Sequence, residues 1–321
     1  MAGSRHLNLK MKNKKKKSAV MKNGCGWLAV SGAVVTAIGM SANNALAHGF
    51  VGDYFFPPTI TTDDPFATDE LLLPAVSYFK TPGSPAIGTT DVGFEFDKEI
   101  FPKFALGISG DYLFQKPDGQ SMMSGWDDFT MSAKYQLWEN VPHQAIFSIG
   151  GEWEIGGSGS KEVGADSTST FTPTIYGGKA FGDLPDSWKY ARPFAVTGTL
   201  GVDLPTSAEP NNLQWGIALE YSLPYLQQQV KDIGLPQPFK NMIPLVEFAM
   251  TSPLNRGGGQ TTGTINPGVL YENTYFQIGA EALIPVNSAS GHSVGAIVQL
   301  EIYIDDIWPK VFGFPIFGHD D

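Results

Sequence analysis

The chain has 321 residues, of which 42% are hydrophobic and only 17% charged, with 37 Gly, 23 Pro, 7 Trp, 11 Tyr and 21 Phe. So much aromatic and aliphatic surface excludes a fully disordered chain. The overall charge of −11 hides an asymmetry: residues 1–47 hold eight basic residues and no acid, which leaves 13 basic against 32 acidic residues in 48–321, a net of −19 that repels nucleic acid and excludes it as a partner.

In chain order, the basic stretch Arg5 to Lys22 is followed by the apolar run Gly26 to Met40 and then by Ala45-Leu46-Ala47. Basic region, apolar core and small-x-small site read as an export leader, 1–47, cleaved after Ala47, with Met21 as an alternative start. The apolar run is shorter than the ~20 residues a spanning helix needs, which disfavours an uncleaved inner-membrane anchor. Cys25 lies before the apolar core rather than at the cleavage site, so a mature chain starting at His48 has no cysteine. Disulfides and thiolate chemistry are then excluded.

Residues 48–70 contain Phe50, Tyr54, Phe55, Phe56, Pro57 and Pro58, too apolar for a free tail and too Pro-rich for a strand. They are read as a candidate lumen plug, or as packing against a rim. Asp63-Asp64-Pro65 lacks the spaced calcium-loop pattern and reads as a solvated acidic linker. An N-terminal His48 could offer amine and ring to copper, but without a second His nearby no metal or cofactor is expected.

From residue 71 the pattern has period two. In Leu213 to Leu223 every odd position is large and apolar and every even one small or polar, and Val294 to Asp305 has aliphatics at even positions. From Phe129 to Leu137 the odd positions are apolar while Thr130, Ser132, Lys134, Gln136 and Trp138 share the other face, and Gln277 to Ile284 alternates likewise. This marks strands with one apolar and one polar face. About twelve such segments occur, near 71–80, 90–98, 104–115, 126–138, 144–155, 170–181, 192–204, 213–223, 242–251, 264–272, 274–286 and 293–305, each of roughly the length a tilted strand needs to cross a bilayer. Pro224 to Ile233 is the one candidate connecting helix. Long, Gly- and Ser-rich connections alternate with tight ones, apart from 182–191 and 224–241.

The expected fold is therefore all-β, an antiparallel transmembrane β-barrel of about 12 strands over 71–306, with a C-terminal tail at 307–321. A periplasmic β-sandwich or a lipocalin-like barrel is the alternative. Small residues such as Gly107, Gly216, Gly279 and Ser148 on the polar face suit a crowded interior rather than a water-facing sheet, and aromatics gather at strand ends as in interfacial girdles. Closure follows from the cost of unpaired backbone groups in hydrocarbon.

The export leader, the Gly-rich strands and the run Gly263 to Gly268 followed by Tyr275 to Pro285 resemble the outer-membrane barrels grouped as meta-pathway phenol-degradation or transporter-like proteins. The resemblance covers most of 71–305 and is one of pattern. It implies a Gram-negative outer-membrane location and a barrel that passes or binds small, often apolar or aromatic, molecules. The chain departs from many such barrels by running on past Phe312, Phe314 and Phe317 to Asp321, rather than ending on the aromatic residue read by the barrel-assembly machinery.

The candidate lumen-lining residues are Glu220, Glu247, Glu272, Glu281, Glu301 and Lys134, part of a polar face rich in acids, with Lys134 and Lys179 as the inward bases. One reading is an acidic pore that favours cations or neutral solutes. The other is an interior in which these groups pair with one another or stay protonated. No catalytic residue is assigned: there is no G-x-S-x-G motif, His143 and His292 fall in connections at opposite ends, and Glu152 with Glu154 has no cleft to serve. The expected function is transport or passive admission of small molecules across the outer membrane, with lipid, a permeant and the assembly machinery as partners. Its rival is a structural or small-molecule-binding envelope protein without transport.

Overall fold

The computed structural model describes residues 49–255 and 257–318. The segment expected to be an export leader, its expected cleavage site, Cys25, His48 and His319 lie outside the described residues.

Twelve long strands follow one another in the chain: β1 (Glu70–Thr81), β2 (Ile87–Phe101), β3 (Phe104–Pro117), β4 (Thr130–Asn140), β5 (Ala145–Glu154), β6 (Thr170–Ala180), β7 (Phe194–Pro205), β8 (Asn212–Tyr221), β9 (Met242–Pro253), β10 (Thr262–Glu272), β11 (Phe276–Pro285) and β12 (Gly295–Ile302). Each pairs antiparallel with its chain neighbours, and β12 pairs with β1. The sheet is a closed meander without a free edge. A short strand, Met123–Trp126, extends β4 along β3 beyond a break at 127–129.

The alternation of the sequence becomes the two sides of this wall. Outward positions expose Val76, Leu106, Met131, Ile149, Ile175, Ile217, Leu219, Ile278 and Val298, whereas the inward neighbours Glu220, Glu281 and Gln299 are buried. A soluble sheet protein hides its apolar face and wets its polar one. Here the arrangement is inverted, which is what a wall standing in hydrocarbon requires. Exposed Tyr78, Trp126, Trp153 and Phe171 lie towards one rim, and Phe101, Trp138, Phe194 and Tyr275 towards the other. No helix among the described residues is long and apolar enough to cross a membrane.

Three details depart from the sequence reading. Trp138 does not join the inward face of β4: the register slips between Gln136 and Trp138, so Leu137 and Trp138 are both exposed. Such a bulge re-aims every side chain beyond it. Lys179 is not an inward base, because Tyr176, Gly178 and Ala180 hold the inward parity of β6, and Lys179 instead pairs with Asp183 at the rim (3.0 Å). The last strand stops at Ile302 rather than continuing to Asp305, since the chain turns into two short helices, Ile304–Ile307 and Pro309–Phe312.

The two rims differ. One carries the connections 82–86, 118–129, 155–169, 206–211, 254–261 and 286–294, and four of its strands end on Pro117, Pro205, Pro253 and Pro285, which cannot donate to a further ladder bond. The other carries the tight turns at 102–103, 141–144 and 273–275 and the longer 181–193 and 222–241. Within the last of these, Leu223–Tyr225 is helical and Leu226–Val230 forms a single wider turn, with Ser222 capping the Tyr225 N–H (3.1 Å). Tyr225 and Leu226 from this connection are buried against the barrel.

Candidate functional site: the barrel interior

The half of the interior nearer the tight turns is filled by residues 49–69. They begin as a two-residue hairpin, Phe50–Val51 with Tyr54–Phe55, closed at the short-turn rim. Val51, Tyr54 and Phe56 are fully buried with Ile146, Ala180, Ala195 and Tyr225, and the Tyr54 hydroxyl donates to Pro193 O (2.8 Å). Burial, with Glu220 beside it, pushes the Tyr54 hydroxyl well above its ordinary pKa. The segment then rises to mid-barrel at Ile60–Asp64 and returns to the same rim, where the carboxyl of Asp69 accepts from Lys98 Nζ and from the Glu99 N–H.

At the top of this excursion Glu247 of β9 receives a converging set of donors: Ile60 N–H (2.7 Å), Thr61 N–H (2.6 Å), Thr62 N–H (2.7 Å) and the Thr61 hydroxyl. Asn266 Nδ2 donates to Thr61 Oγ1 (2.9 Å), and Gln277 Nε2 to Pro58 O (2.7 Å). On the opposite wall Lys134 of β4 donates to Asp63 Oδ1 (2.6 Å) and Asp64 O (2.9 Å) and lies 4.9 Å from the Tyr176 ring centre. The Ser148 hydroxyl donates to Pro65 O. Side chains of five strands thus hold one short piece of chain. Burial raises the carboxyls of Asp63 and Asp64 above the usual range despite the Lys134 ammonium.

Inward glycines make the space. A Cβ on Gly279 would stand 2.6 Å from Ile60 Cδ1, and one on Gly216 2.9 Å from Thr62 Oγ1. The absence of side chains at these two wall positions is therefore a fit to the internal segment.

The half nearer the long connections is more open. Asp111, Glu152, Glu154 and Asp203 are half-buried there. Asp203 accepts from the Thr172 hydroxyl (3.0 Å) and from Gln214 Nε2, and Gln214 Oε1 accepts from the Thr251 hydroxyl (3.0 Å), so four successive strands, β6 to β9, share one polar network. Connection 155–169 folds over this mouth. Gln115 Nε2 donates to Val163 O (2.9 Å), Gly159 N–H donates to Asp128 Oδ1 (2.8 Å), and Val163 itself is buried.

All six residues singled out from the sequence face inward, but they stand in the filled half. Glu220, Glu247, Glu281 and Glu301 are nearly or fully inaccessible, Glu272 accepts the Tyr303 hydroxyl (2.7 Å), and Lys134 is paired as above. Glu247 and Lys134 are brought together with the internal segment. Glu220 and Glu281 neighbour Tyr54 and Asn266. The network centred on Asp203, the cover at 155–169 and the role of Thr61 escaped sequence reasoning, because none has a periodic or motif signature. The small residues of the polar face signal that something is packed against it, and the apolar, Pro-rich stretch 48–70 is the candidate that the sequence offers. Among the described residues no group of three or more His, Cys, Asp or Glu is arranged to hold a metal ion. His143 Nδ1 lies 3.0 Å from Asp183 Oδ2 at the short-turn rim, a pair that also involves Lys179 and is well exposed.

No family model matches the sequence, and no curated protein sequence matches it. Among solved structures, an outer membrane channel from Pseudomonas putida F1 shares the fold over 76% of this chain and 99% of its own, with a TM-score of 0.52 at 11% identity. The NanC porin aligns over 73% of this chain and 98% of its own, with a TM-score of 0.44 at 7% identity.

Proposed function

We propose that this protein is an outer-membrane barrel of a Gram-negative envelope that admits small solutes from its long-connection end and carries out no catalysis. The observation that carries the reading is the inverted wall: a closed twelve-strand meander whose exposed side chains are aliphatic and whose inward ones are polar. The shared fold with a solved outer membrane channel supports it. The half-buried acids Asp111, Glu152, Glu154 and Asp203 line the half nearer the long connections, and their charge disfavours anions in a low-dielectric passage. Permeants are then cationic or neutral. The finer class, small apolar or aromatic molecules, is supported by the resemblance to meta-pathway phenol-degradation barrels.

A second reading, a binding or structural barrel without flux, is favoured by one observation: the four hydrogen bonds on Glu247 that seat residues 60–62 across the lumen. Liposome flux distinguishes the two. Protein recovered from outer membranes with heat-modifiable gel mobility, and passing small solutes after reconstitution, is the expected result. Recovery with the soluble periplasm overturns both readings, and membrane insertion without flux of any small solute leaves the second.

A further inference from the structure

The described C-terminal residues do not hang free of the barrel. Tyr303 and Ile304 are buried at the short-turn rim, and Tyr303 N–H donates to Tyr275 O (3.0 Å) in the β10–β11 turn. From there the tail passes below the start of β1 and comes up against β2. The Phe312 ring stands edge-on to Phe96 (6.2 Å), with Lys98 Nζ 5.9 Å from its centre. Lys98 Nζ also donates to Phe314 O (2.9 Å), Phe317 N–H donates to Ile100 O (2.9 Å), and the Phe317 ring lies 5.4 Å from Phe101.

Phe96 has outward parity: its register partner Leu71 alternates with Leu72, which is buried inside and pairs with Glu95. The tail is therefore seated on the outer side of the wall. Its remaining surface is apolar: Ile307, Trp308, Val311, Ile316 and Phe317 are exposed, four of them by more than half, and Lys310 stands among them. This surface is continuous with the exposed wall and lies level with Phe101 and Tyr275, at the rim where aromatic residues gather.

We propose that residues 304–317 form an interfacial anchor, lying in the headgroup and upper acyl layer of the leaflet at the short-turn end, with lipid as the partner. The inference rests on the reading of the barrel as membrane-spanning. A short amphipathic element with Trp and Phe on one side and a Lys able to reach the headgroups has the chemistry of such a layer. A second protein copy fits less well, because five side chains fall short of the ~800 Å² per partner of a standard interface. Continuity with the lipid-facing wall supplies the occupant directly.

The test uses the full chain in a Cys25→Ser background, reconstituted in phosphatidylethanolamine–phosphatidylglycerol vesicles, with one nitroxide label per variant. Val311→Cys and Ile316→Cys report on the tail, Val298→Cys on the mid-wall, and Ser121→Cys on an exposed position in a long connection. Heat-modifiable mobility confirms that each variant is folded. The expected result is an oxygen-to-nickel-chelate collision ratio at 311 and 316 that lies between the Val298 and Ser121 values. Ratios equal to the Ser121 value, with Val298 in lipid, overturn the anchor. Spin–spin broadening at 311 that vanishes on dilution with unlabelled protein overturns it in favour of a second copy. An aqueous ratio at Val298 defeats the membrane reading itself and is distinct from both.

Discussion

Oε2 of Glu247, at the middle of β9, accepts both the backbone N–H and the hydroxyl of Thr61, and the N–H groups of Ile60 and Thr62 close on the same carboxyl. This is the point at which the internal segment is most firmly tied to the wall. Glu247→Gln turns one accepting oxygen into an NH₂ that faces donors. With net contributions of ~1.5–3 kcal/mol for hydrogen bonds to charged groups, we expect a destabilisation of ~2 kcal/mol or more. The temperature at which the folded gel band is lost should fall, and single-channel conductance should rise as residues 60–62 loosen. A variant with unchanged conductance and unchanged thermal shift would mean that the segment is held elsewhere.

The outward face of β12 gives a second test. Val298 is outward, between Ala280 and Val76 in the register, near the middle of the strand. Arg at that depth costs ~2–4 kcal/mol in lipid, so Val298→Arg should reduce the folded fraction on urea titration. Asn212→Arg, at a half-buried position by the long-connection rim, should fold normally. A Val298→Arg defect no larger than that of Asn212→Arg would mean that Val298 does not face lipid, as a one-residue slip of this strand would bring about. The inward neighbours Gln299 and Gly295 are poor comparators, since Gln299 is fully buried and a Cβ on Gly295 already stands 2.4 Å from Tyr78 O.

These contrasts show what the sequence could carry. Period two in Leu213 to Leu223 and in Val294 to Ile302 is legible because adjacent residues there face lipid and protein interior, two environments with opposite demands. The bulge at Trp138 is not legible, since a slip of one residue leaves composition unchanged. The interior contents were only half legible. Gly216 and Gly279 announce a close approach, but nothing local to them says that Thr62 and Ile60, more than 150 residues away in the chain, are what approaches. The acids Glu220, Glu281 and Glu301 were visible as inward, while the filling of their half of the lumen depends on those long-range contacts.

Ion selectivity follows from that filling. If permeants reach only the half nearer the long connections, the acids that act on them are Glu152, Glu154 and Asp203 rather than the buried Glu281 or Glu301. Neutralising the first three to Gln, Gln and Asn should move the zero-current potential under a salt gradient towards anion preference. Glu281→Gln alone should leave it in place. Planar-bilayer recordings measure both, and a shift caused by Glu281→Gln would show that ions pass through the filled half.

The last expectation concerns Lys134, whose ammonium lies 2.6 Å from Asp63 Oδ1 and 3.9 Å from Asp64 Oδ1. Burial raises both carboxyls, Asp64 to about 6, while Lys134 works against the rise. A carboxyl whose folded pKa exceeds its unfolded one takes up a proton on folding. Its contribution is therefore most favourable at low pH and is lost as pH climbs through the folded value. Removing Lys134 lifts both folded values further and leaves two buried acids without their cation, a change of ~3–5 kcal/mol at pH above those values. Lys134→Met should accordingly melt well below the parent at about pH 8, and the gap should narrow as pH falls towards about 5, where protonation removes the charges that Lys134 had balanced. Adding Asp63→Asn and Asp64→Asn to Lys134→Met should remove most of that pH dependence. Thermal unfolding followed by tryptophan fluorescence in detergent across this range measures the gap. A gap that is constant with pH would mean that Lys134 contributes through packing against Tyr176 rather than through the two aspartates.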